Sequence, residues 1–251
     1  MTRYVTPLRE GGSLPAIVEA ADDGMYVLKF RGAGQGPRAL IAELVSGEIA
    51  RALGLPVPEI VFAELHPDLA RTEPDPEIHA LILDSAGLNL ALDYLPGSVT
   101  FDPLVNQLDA DLASRIVWFD SFVTNVDRTP RNTNMLMWHR RLWLIDHGAT
   151  LYAHHAPEWQ TGGARPRDPF AMIKSHVLRR RATALLKVDA AMAEALTEDL
   201  IDTIIEWIPD AWLSTGDSAH DVTDQRAAYN RYLTERLTTP RAFVQEAARA
   251  D

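Results

Sequence analysis

The sequence predicts an α+β protein of two lobes, a β-rich first lobe with one helix and a mainly helical second lobe. Short apolar runs separated by turn residues, which are typical of antiparallel strands, dominate the first hundred residues. Beyond Pro96-Gly97, apolar residues recur at helical spacing instead. A hairpin of two short strands interrupts the helical part after its first helix. We therefore place the lobes at residues 1–95 and 96–251.

The first lobe opens with a predicted hairpin. Its strands cover residues 14–19 and 25–31, and the Asp-Gly step before the second strand favours a tight turn because glycine accepts a positive φ. Two more apolar runs predict strands over residues 60–65 and 79–83. The stretch between these runs is rich in proline and charge, which indicates an exposed loop.

Helical spacing predicts the remaining elements. One helix follows the glycine-rich segment 32–37 and ends at Gly54, with prolines directly after it. In the second lobe the pattern predicts an amphipathic helix, then two hairpin strands, then two long helical regions. The first helix covers residues 109–124, the two strands cover 135–138 and 142–145, and the helical regions cover 189–207 and 222–248.

Composition limits the functions to consider. Lysine and arginine number 24 against 35 aspartate and glutamate, a net charge of −11, which argues against general nucleic-acid binding. The chain has no apolar run of about 18 residues, so we expect no membrane association. It has no cysteine, which excludes disulfides and thiolate chemistry and fits a cytoplasmic location.

Three oxygen-bearing side chains follow the first helix of the second lobe. Asp127 and Asn132 lie five residues apart in a predicted loop, and Asp146 comes directly after an apolar strand. Carboxylate and amide oxygens are suitable ligands for a hard cation such as Mg²⁺, which usually takes one or two carboxylates and completes its shell with water and phosphate. All three side chains are thus suited to a site for such a cation, and Asp127 is left to orient an attacking hydroxyl or accept its proton.

As a set, Asp127 and Asn132 with Asp146-His147-Gly148 resemble the catalytic loop and metal site of kinases. The asparagine at position 125 makes an N-x-D step that resembles HipA-like kinases in particular. The resemblance implies a protein-kinase-like fold with ATP and Mg²⁺ as cofactors. It also implies that Asp127 is the catalytic aspartate and that Asn132 and Asp146 are the metal ligands. It departs from the family where Thr129 stands in place of a histidine or lysine, and where His147 replaces a phenylalanine.

A kinase also needs a strand lysine for the phosphates and a helix glutamate that holds it. Lys29 lies within a short apolar strand, and Glu43 lies in the following helix, eleven residues before a G-L-P-V-P ending that resembles the HipA-like helix. Glu43 is therefore the predicted partner. Glu48 is the rival, because five residues rotate a helix by about 140° and both cannot face Lys29.

The nucleotide is expected at two further places. Gly11, Gly12 and Ser13 precede the first predicted hairpin, where kinase-like folds place a loop over the phosphates, and glycine lets backbone N–H groups approach closely. The adenine is expected beside a segment at the lobe boundary, Asp93, Tyr94 and Leu95.

The sequence leaves several functions open. We favour an ATP-dependent kinase that phosphorylates serine or threonine of a protein. A small-molecule kinase of the aminoglycoside-phosphotransferase type and a non-catalytic nucleotide-binding scaffold are the alternatives. A dinucleotide-binding site is disfavoured, because Pro37 takes the place of the third glycine of G-x-G-x-x-G.

Overall fold

The computed structural model describes residues 1, 3–8, 14–156, 159, 165–214 and 222–249. Within these residues, eight strands form two sheets. The first sheet contains β1 (Arg3–Pro7), β2 (Ala16–Glu19), β3 (Met25–Lys29), β4 (Ile60–Leu65) and β5 (Gly87–Asp93). The second contains β6 (Val99–Thr100), β7 (Met135–Trp138) and β8 (Arg141–Leu144). The α-helices are α1 (Pro37–Ala52), α2 (Pro76–Asp84), α3 (Ala110–Phe122), α4 (Leu185–Ala195), α5 (Glu198–Glu206), α6 (Asp210–Leu213), α7 (Val222–Leu237) and α8 (Ala242–Ala248).

The first sheet has the strand order β1-β2-β3-β5-β4, and each neighbouring pair is antiparallel. The predicted hairpin of β2 and β3 is confirmed. The Asp22 carboxylate accepts a hydrogen bond from the Gly24 N–H at 3.0 Å, which closes the turn. Strand β3 is an inner strand, with Lys29 opposite Leu90 of β5. The antiparallel pairing excludes a dinucleotide-binding site at Gly32–Gly36, since that fold needs parallel strands.

Helix α1 connects the first sheet to the rest of the molecule. It begins at Pro37, whose missing N–H suits a first helical turn, and it ends before Gly54, which has a φ of 69°. Ten of its sixteen residues are buried. Its apolar side chains belong to the same core as those of α3 and the C-terminal helices, so α1 is held by both parts of the chain.

One prediction in the first lobe is wrong. The residues of the expected strand 79–83 lie in α2, which buries Ile78 and Ile82, one helical turn apart, in a small core under the first sheet. Asp75 starts this helix by accepting a hydrogen bond from the Glu77 N–H at 3.0 Å, and Pro76 occupies its first turn. The expected loop before α2 likewise contains a short 3₁₀ helix, Pro67–Thr72.

Other boundaries differ in detail. The helix predicted over 189–207 is two helices, because Thr197 caps the second by accepting a hydrogen bond from the Leu200 N–H at 3.2 Å. The region 222–248 also divides, into α7 and α8. The strands β1, β5 and β6 were not predicted.

Helix α3 is the buried centre of the second half. Its first turn is capped by Asp109, which accepts a hydrogen bond from the Leu112 N–H at 2.8 Å. The rings of Trp118 and Phe122 stack at 5.4 Å, and both rings contact Phe243 of α8. The chain passes from α3 directly into the loop that carries the candidate catalytic residues. The packing of α3 therefore fixes where that loop begins.

The helical part also contacts the first sheet through α6. The indole N–H of Trp212 donates to the Leu88 carbonyl oxygen in β5 at 3.1 Å, and its ring lies 5.7 Å from that of Phe62 in β4. The predicted lobe boundary at residues 95–96 falls between β5 and β6, and the larger apolar core extends across it. In the described part of the chain, no helix is long and apolar enough to cross a membrane.

Candidate active site

Three predicted residues meet where β3, α1 and the end of β8 come together. The Lys29 ammonium donates to Asp146 Oδ1 at 2.6 Å and lies 3.5 Å from Glu43 Oε2. The Lys29 side chain is 12% exposed and that of Glu43 is 1% exposed. Burial alone would lower the pKa of Lys29, but the charges of Glu43 and Asp146 outweigh burial and raise it. Lys29 is therefore a buried, permanently positive group.

Glu43, and not Glu48, is the partner of Lys29. Burial alone would raise the pKa of Glu43, but the charge of Lys29 and a hydrogen bond from His147 hold it below its ordinary value. Glu48 instead pairs with Arg51 in its own helix, with 3.3 Å between Oε2 and Nε. The two glutamates point in different directions, as the rotation between them requires.

His147 takes part in the same cluster. Its Nδ1 lies 3.4 Å from Glu43 Oε1, and its ring meets the ring of Phe119 edge-on at 5.7 Å. The side chain is fully buried. A polar residue therefore stands here where kinases usually have phenylalanine, and it contacts the glutamate that pairs with Lys29. The preceding Asp146 has a φ of 56°, an unusual backbone conformation that aspartate tolerates.

Asp127 lies in a second cluster on the loop after α3. Its Oδ2 accepts hydrogen bonds from the side-chain amides of Asn132 at 2.7 Å and Asn134 at 3.1 Å. Its backbone N–H donates to Asn125 Oδ1 at 3.0 Å. The Thr129 N–H closes the loop by donating to the carbonyl oxygens of Asp127 and Asn132. Asn134 was not predicted, although its position two residues after Asn132 placed it in the same loop.

A buried ionic network under this loop was also missed. Asp120 of α3 accepts hydrogen bonds from Arg128 Nε at 2.7 Å, from Asn125 Nδ2 at 2.8 Å and from His176 Nε2 at 2.7 Å. The Leu178 N–H donates to His176 Nδ1, which places the imidazole proton on Nε2. Burial alone would raise the pKa of Asp120, but the Arg128 charge and the His176 hydrogen bond hold it well below its ordinary value.

Arg128 connects the two clusters. One of its guanidinium nitrogens, Nη1, donates to the carbonyl oxygen of Asn134 and lies 3.5 Å from that of Ile145. Ile145 directly precedes Asp146. Among the described residues, no hydrogen bond or ion pair joins Asp127 directly to Lys29 or Asp146. The structure thus places the clusters side by side and links them through buried arginine and backbone.

The expected nucleotide contacts are only partly described. Gly11, Gly12 and Ser13 lie outside the described residues. Asp93 ends β5, and its N–H donates to the Glu59 carbonyl oxygen at 2.9 Å, while the Tyr94 N–H donates to that of Met25 at 3.0 Å. These two N–H groups are engaged in the sheet. An adenine at this segment would therefore have to contact the backbone carbonyl groups of Asp93 and Tyr94 or the backbone of Leu95. The side chain of Leu95 is buried.

The oxygen donors fit a hard divalent cation. The Asp146 side chain is 38% exposed, and Asn132 is exposed on the neighbouring loop. No group of three or more acidic, histidine or cysteine side chains in the described part of the chain is arranged to hold a metal by itself. A metal bound here would take most of its shell from water and phosphate, as Mg²⁺ commonly does.

Two solved structures with a similar arrangement of sheet and helices are kinases. The Helicobacter pylori proinflammatory kinase CtkA superposes with a TM-score of 0.57 and 15% identity over 97% of this chain and 96% of that chain. The Golgi casein kinase with Mn/ADP bound superposes with a TM-score of 0.53 and 12% identity over 98% of this chain and 74% of that one. The chain therefore has a two-lobed, protein-kinase-like α+β fold.

The family follows from the sequence itself. The profile of the HipA-like kinases matches residues 2–243, nearly the whole chain. The protein belongs to the HipA-like kinase family. Comparison with curated protein sequences gives no match.

Proposed function

We propose that this protein transfers the γ-phosphate of Mg-ATP to a hydroxyl group, with serine or threonine of a protein as the favoured acceptor. The observation that carries the proposal is the buried Lys29, paired with Glu43 and Asp146 beside the loop of Asp127. Catalysis of phosphoryl transfer mainly requires a protein to position the reactants and to neutralise the charge of the phosphates. A buried lysine and adjoining carboxylates are groups of that kind.

Each residue has one role in the proposal. Lys29 binds the phosphates, and Glu43 keeps its ammonium in place. Asp146 and Asn132 hold Mg²⁺, which neutralises phosphate charge when bound. Asp127 orients the acceptor hydroxyl and accepts its proton. The amides that donate to Asp127 Oδ2 leave Oδ1 without a hydrogen bond in the described part of the chain, so Oδ1 is the candidate proton acceptor.

The hydrogen bond of 2.6 Å between Lys29 and Asp146 leaves both groups able to make further contacts. The Lys29 ammonium has three N–H donors and can contact phosphate oxygens as well, and the second oxygen of the Asp146 carboxylate would hold the metal. Support for a divalent metal comes from the Golgi casein kinase, whose structure contains Mn/ADP. A protein acceptor is favoured because the structurally similar casein kinase is named for a protein substrate.

The test uses intact-mass spectrometry after incubation with Mg-ATP. We expect phosphate on this chain or on an added protein, and the Asp127→Asn variant should lower the rate by about 10²–10⁴-fold while binding ATP normally. The control is Asp111→Asn, a change of an exposed aspartate on α3 that should leave the rate unaltered.

Two outcomes would change the proposal. ATP consumption that requires an added small alcohol, with all proteins unmodified, would point to a small-molecule kinase. Absence of any nucleotide-dependent rise in melting temperature would contradict both kinase functions, because a ligand at 100 times its dissociation constant should add about 2.7 kcal/mol of stability.

A further inference from the structure

A groove of about 640 Å³ lies between the end of α1, the segment that leads into α3, and the β7–β8 hairpin. We call it the hairpin groove and define it by six of its lining residues, Arg51, Leu55, Leu112, Met137, Arg141 and Trp143. Its volume is in the range that accommodates a few side chains of a bound segment. None of the predicted active-site residues lines it.

The charge of the hairpin groove is opposite to that of the chain. Three arginines line it, Arg51, Arg140 and Arg141, and no acidic residue does, although the net charge of the chain is −11. Arg51 already pairs with Glu48. Arg140 and Arg141 are exposed at the hairpin turn and have no acidic partner among the residues that the structure describes. The groove therefore offers two unpaired positive charges next to an apolar surface.

Trp143 adds an unused hydrogen-bond donor. Its indole Nε1 is buried and has no acceptor within the described residues. A buried polar group without a partner is unfavourable, and most such groups in proteins are paired. The guanidinium carbon of Arg141 lies 6.0 Å from the centre of the Trp143 ring.

We propose that the hairpin groove binds a segment of a partner protein that carries leucine-like side chains flanked by aspartate or glutamate. The apolar side chains would cover the partly buried Leu112 and Met137, and the carboxylates would pair with Arg140 and Arg141. An acidic peptide fits better than a nucleic acid, because a long polyanion would be repelled by the rest of this acidic chain.

The position of the groove connects it to the candidate active site. The Leu144 N–H donates to the Pro56 carbonyl oxygen at 2.8 Å, which joins the hairpin to the segment after α1. Asp146 follows two residues later, and Glu43 lies on α1. A segment bound in the groove therefore contacts both elements that carry these two residues. Its binding does not depend on phosphoryl transfer and is measured without nucleotide.

The experiment follows the indole N–H of Trp143 by nuclear magnetic resonance in protein labelled with ¹⁵N-tryptophan. The chain has six tryptophans, and the signal lost in Trp143→Phe identifies the reporter. The probe is a synthetic peptide of about a dozen leucine and glutamate residues at helical spacing. One control peptide has lysine in place of glutamate, and a second has serine in place of leucine.

We expect the Trp143 signal to shift with the leucine–glutamate peptide and with neither control peptide. Arg140→Glu combined with Arg141→Glu should weaken binding by about tenfold or more, since truncating or reversing paired charges weakens such contacts. Arg165→Glu combined with Arg167→Glu, an equal charge change at exposed residues that do not line the groove, should leave binding unaltered.

Three results would overturn the proposal. The Trp143 signal could stay in place with every peptide, or it could shift equally with all three. It could also respond to duplex DNA and not to the acidic peptide, which would assign the groove to nucleic acid. If the double charge reversal unfolds the chain by circular dichroism, the milder Arg140→Gln and Arg141→Gln variants provide the same comparison.

Discussion

Replacing Glu43 with glutamine tests the charge arrangement around Lys29. The substitution preserves side-chain size and leaves Asp146 as the remaining acidic neighbour of Lys29 among the described residues. At the observed 3.5 Å, the attraction between Glu43 and Lys29 is about 5 kcal/mol for an effective dielectric constant of about 20. A neutral amide is easier to bury than a carboxylate, which offsets much of this loss. We therefore expect the free energy of unfolding to fall by about 1–3 kcal/mol.

The rate of phosphoryl transfer should fall more steeply than stability. Without Glu43, the Lys29 ammonium is held by Asp146 alone, and in the proposal Asp146 would also hold the metal. We expect a loss of about 10²–10³-fold, the usual effect of removing one preorganised electrostatic group. The assay is the time course of phosphate incorporation by intact mass, with urea unfolding measured in parallel.

Glu48→Gln is the matched control, because it changes the same residue type on the same helix. Glu48 contacts Arg51 and not Lys29, so stability should change by less than about 1 kcal/mol and activity should remain. Equal losses of activity in the two variants, or an unaltered rate in Glu43→Gln, would refute the assignment of Glu43 as the residue that positions Lys29.

The remaining predictions concern the buried network and the metal. Asp120→Asn should lower the free energy of unfolding by about 3–5 kcal/mol in urea, because it leaves the buried Arg128 without its charged partner; a loss below about 1 kcal/mol would contradict this. The pKa values of Asp120 and Glu43 are depressed on folding, so the stability they contribute is complete above their unfolded values, 3.8 and 4.5, and is lost as the pH falls below them. Urea midpoints recorded from pH 7 to pH 3 should show this loss, and it should be smaller in Asp120→Asn. Asp146→Ala should abolish the Mg²⁺-dependent part of the rise in melting temperature with ATP, and persistence of that part would assign the metal to other ligands.

The contact between Lys29 and Glu43 was predictable because each residue lies in a distinctive local pattern. Both positions can be recognised in a single sequence. Lys29 is a lysine inside an apolar strand, and Glu43 is a glutamate eleven residues before a G-L-P-V-P ending. Helix geometry shows only that Glu43 and Glu48 cannot both face the lysine, and the resemblance to the HipA-like helix favoured Glu43. The burial of Glu43 beside Lys29 agrees with that preference.

Helix α2 shows where local patterns fail. The segment 78–83 is a short, almost wholly apolar run, and such a run fits a strand and a buried helix equally well. The capping side chain of Asp75 and the proline at position 76 were the signals for a helix. The helix is also stabilised by the burial of Ile78 and Ile82 under the sheet. This burial depends on contacts with residues that are distant in sequence.

The network of Asp120 could not have been predicted in the same way. His176 lies 56 residues from Asp120 along the chain, and neither residue belongs to a recognisable pattern. An aspartate within an apolar helix was the one available signal, since buried carboxylates are rarely left unpaired. The identity of its partners is a property of the folded chain.

The attachment of α6 to the first sheet determines how the molecule can open. Trp212 fastens β4 and β5 to the helical half, and α1 is packed into the larger core. Strands β3, β2 and β1 extend from this fastened edge across the sheet, and the ion pairs of Lys29 also tie β3 to α1 and to the segment after β8. Rotation of the whole first sheet against the helical half would therefore have to break both the Trp212 contacts and these ion pairs.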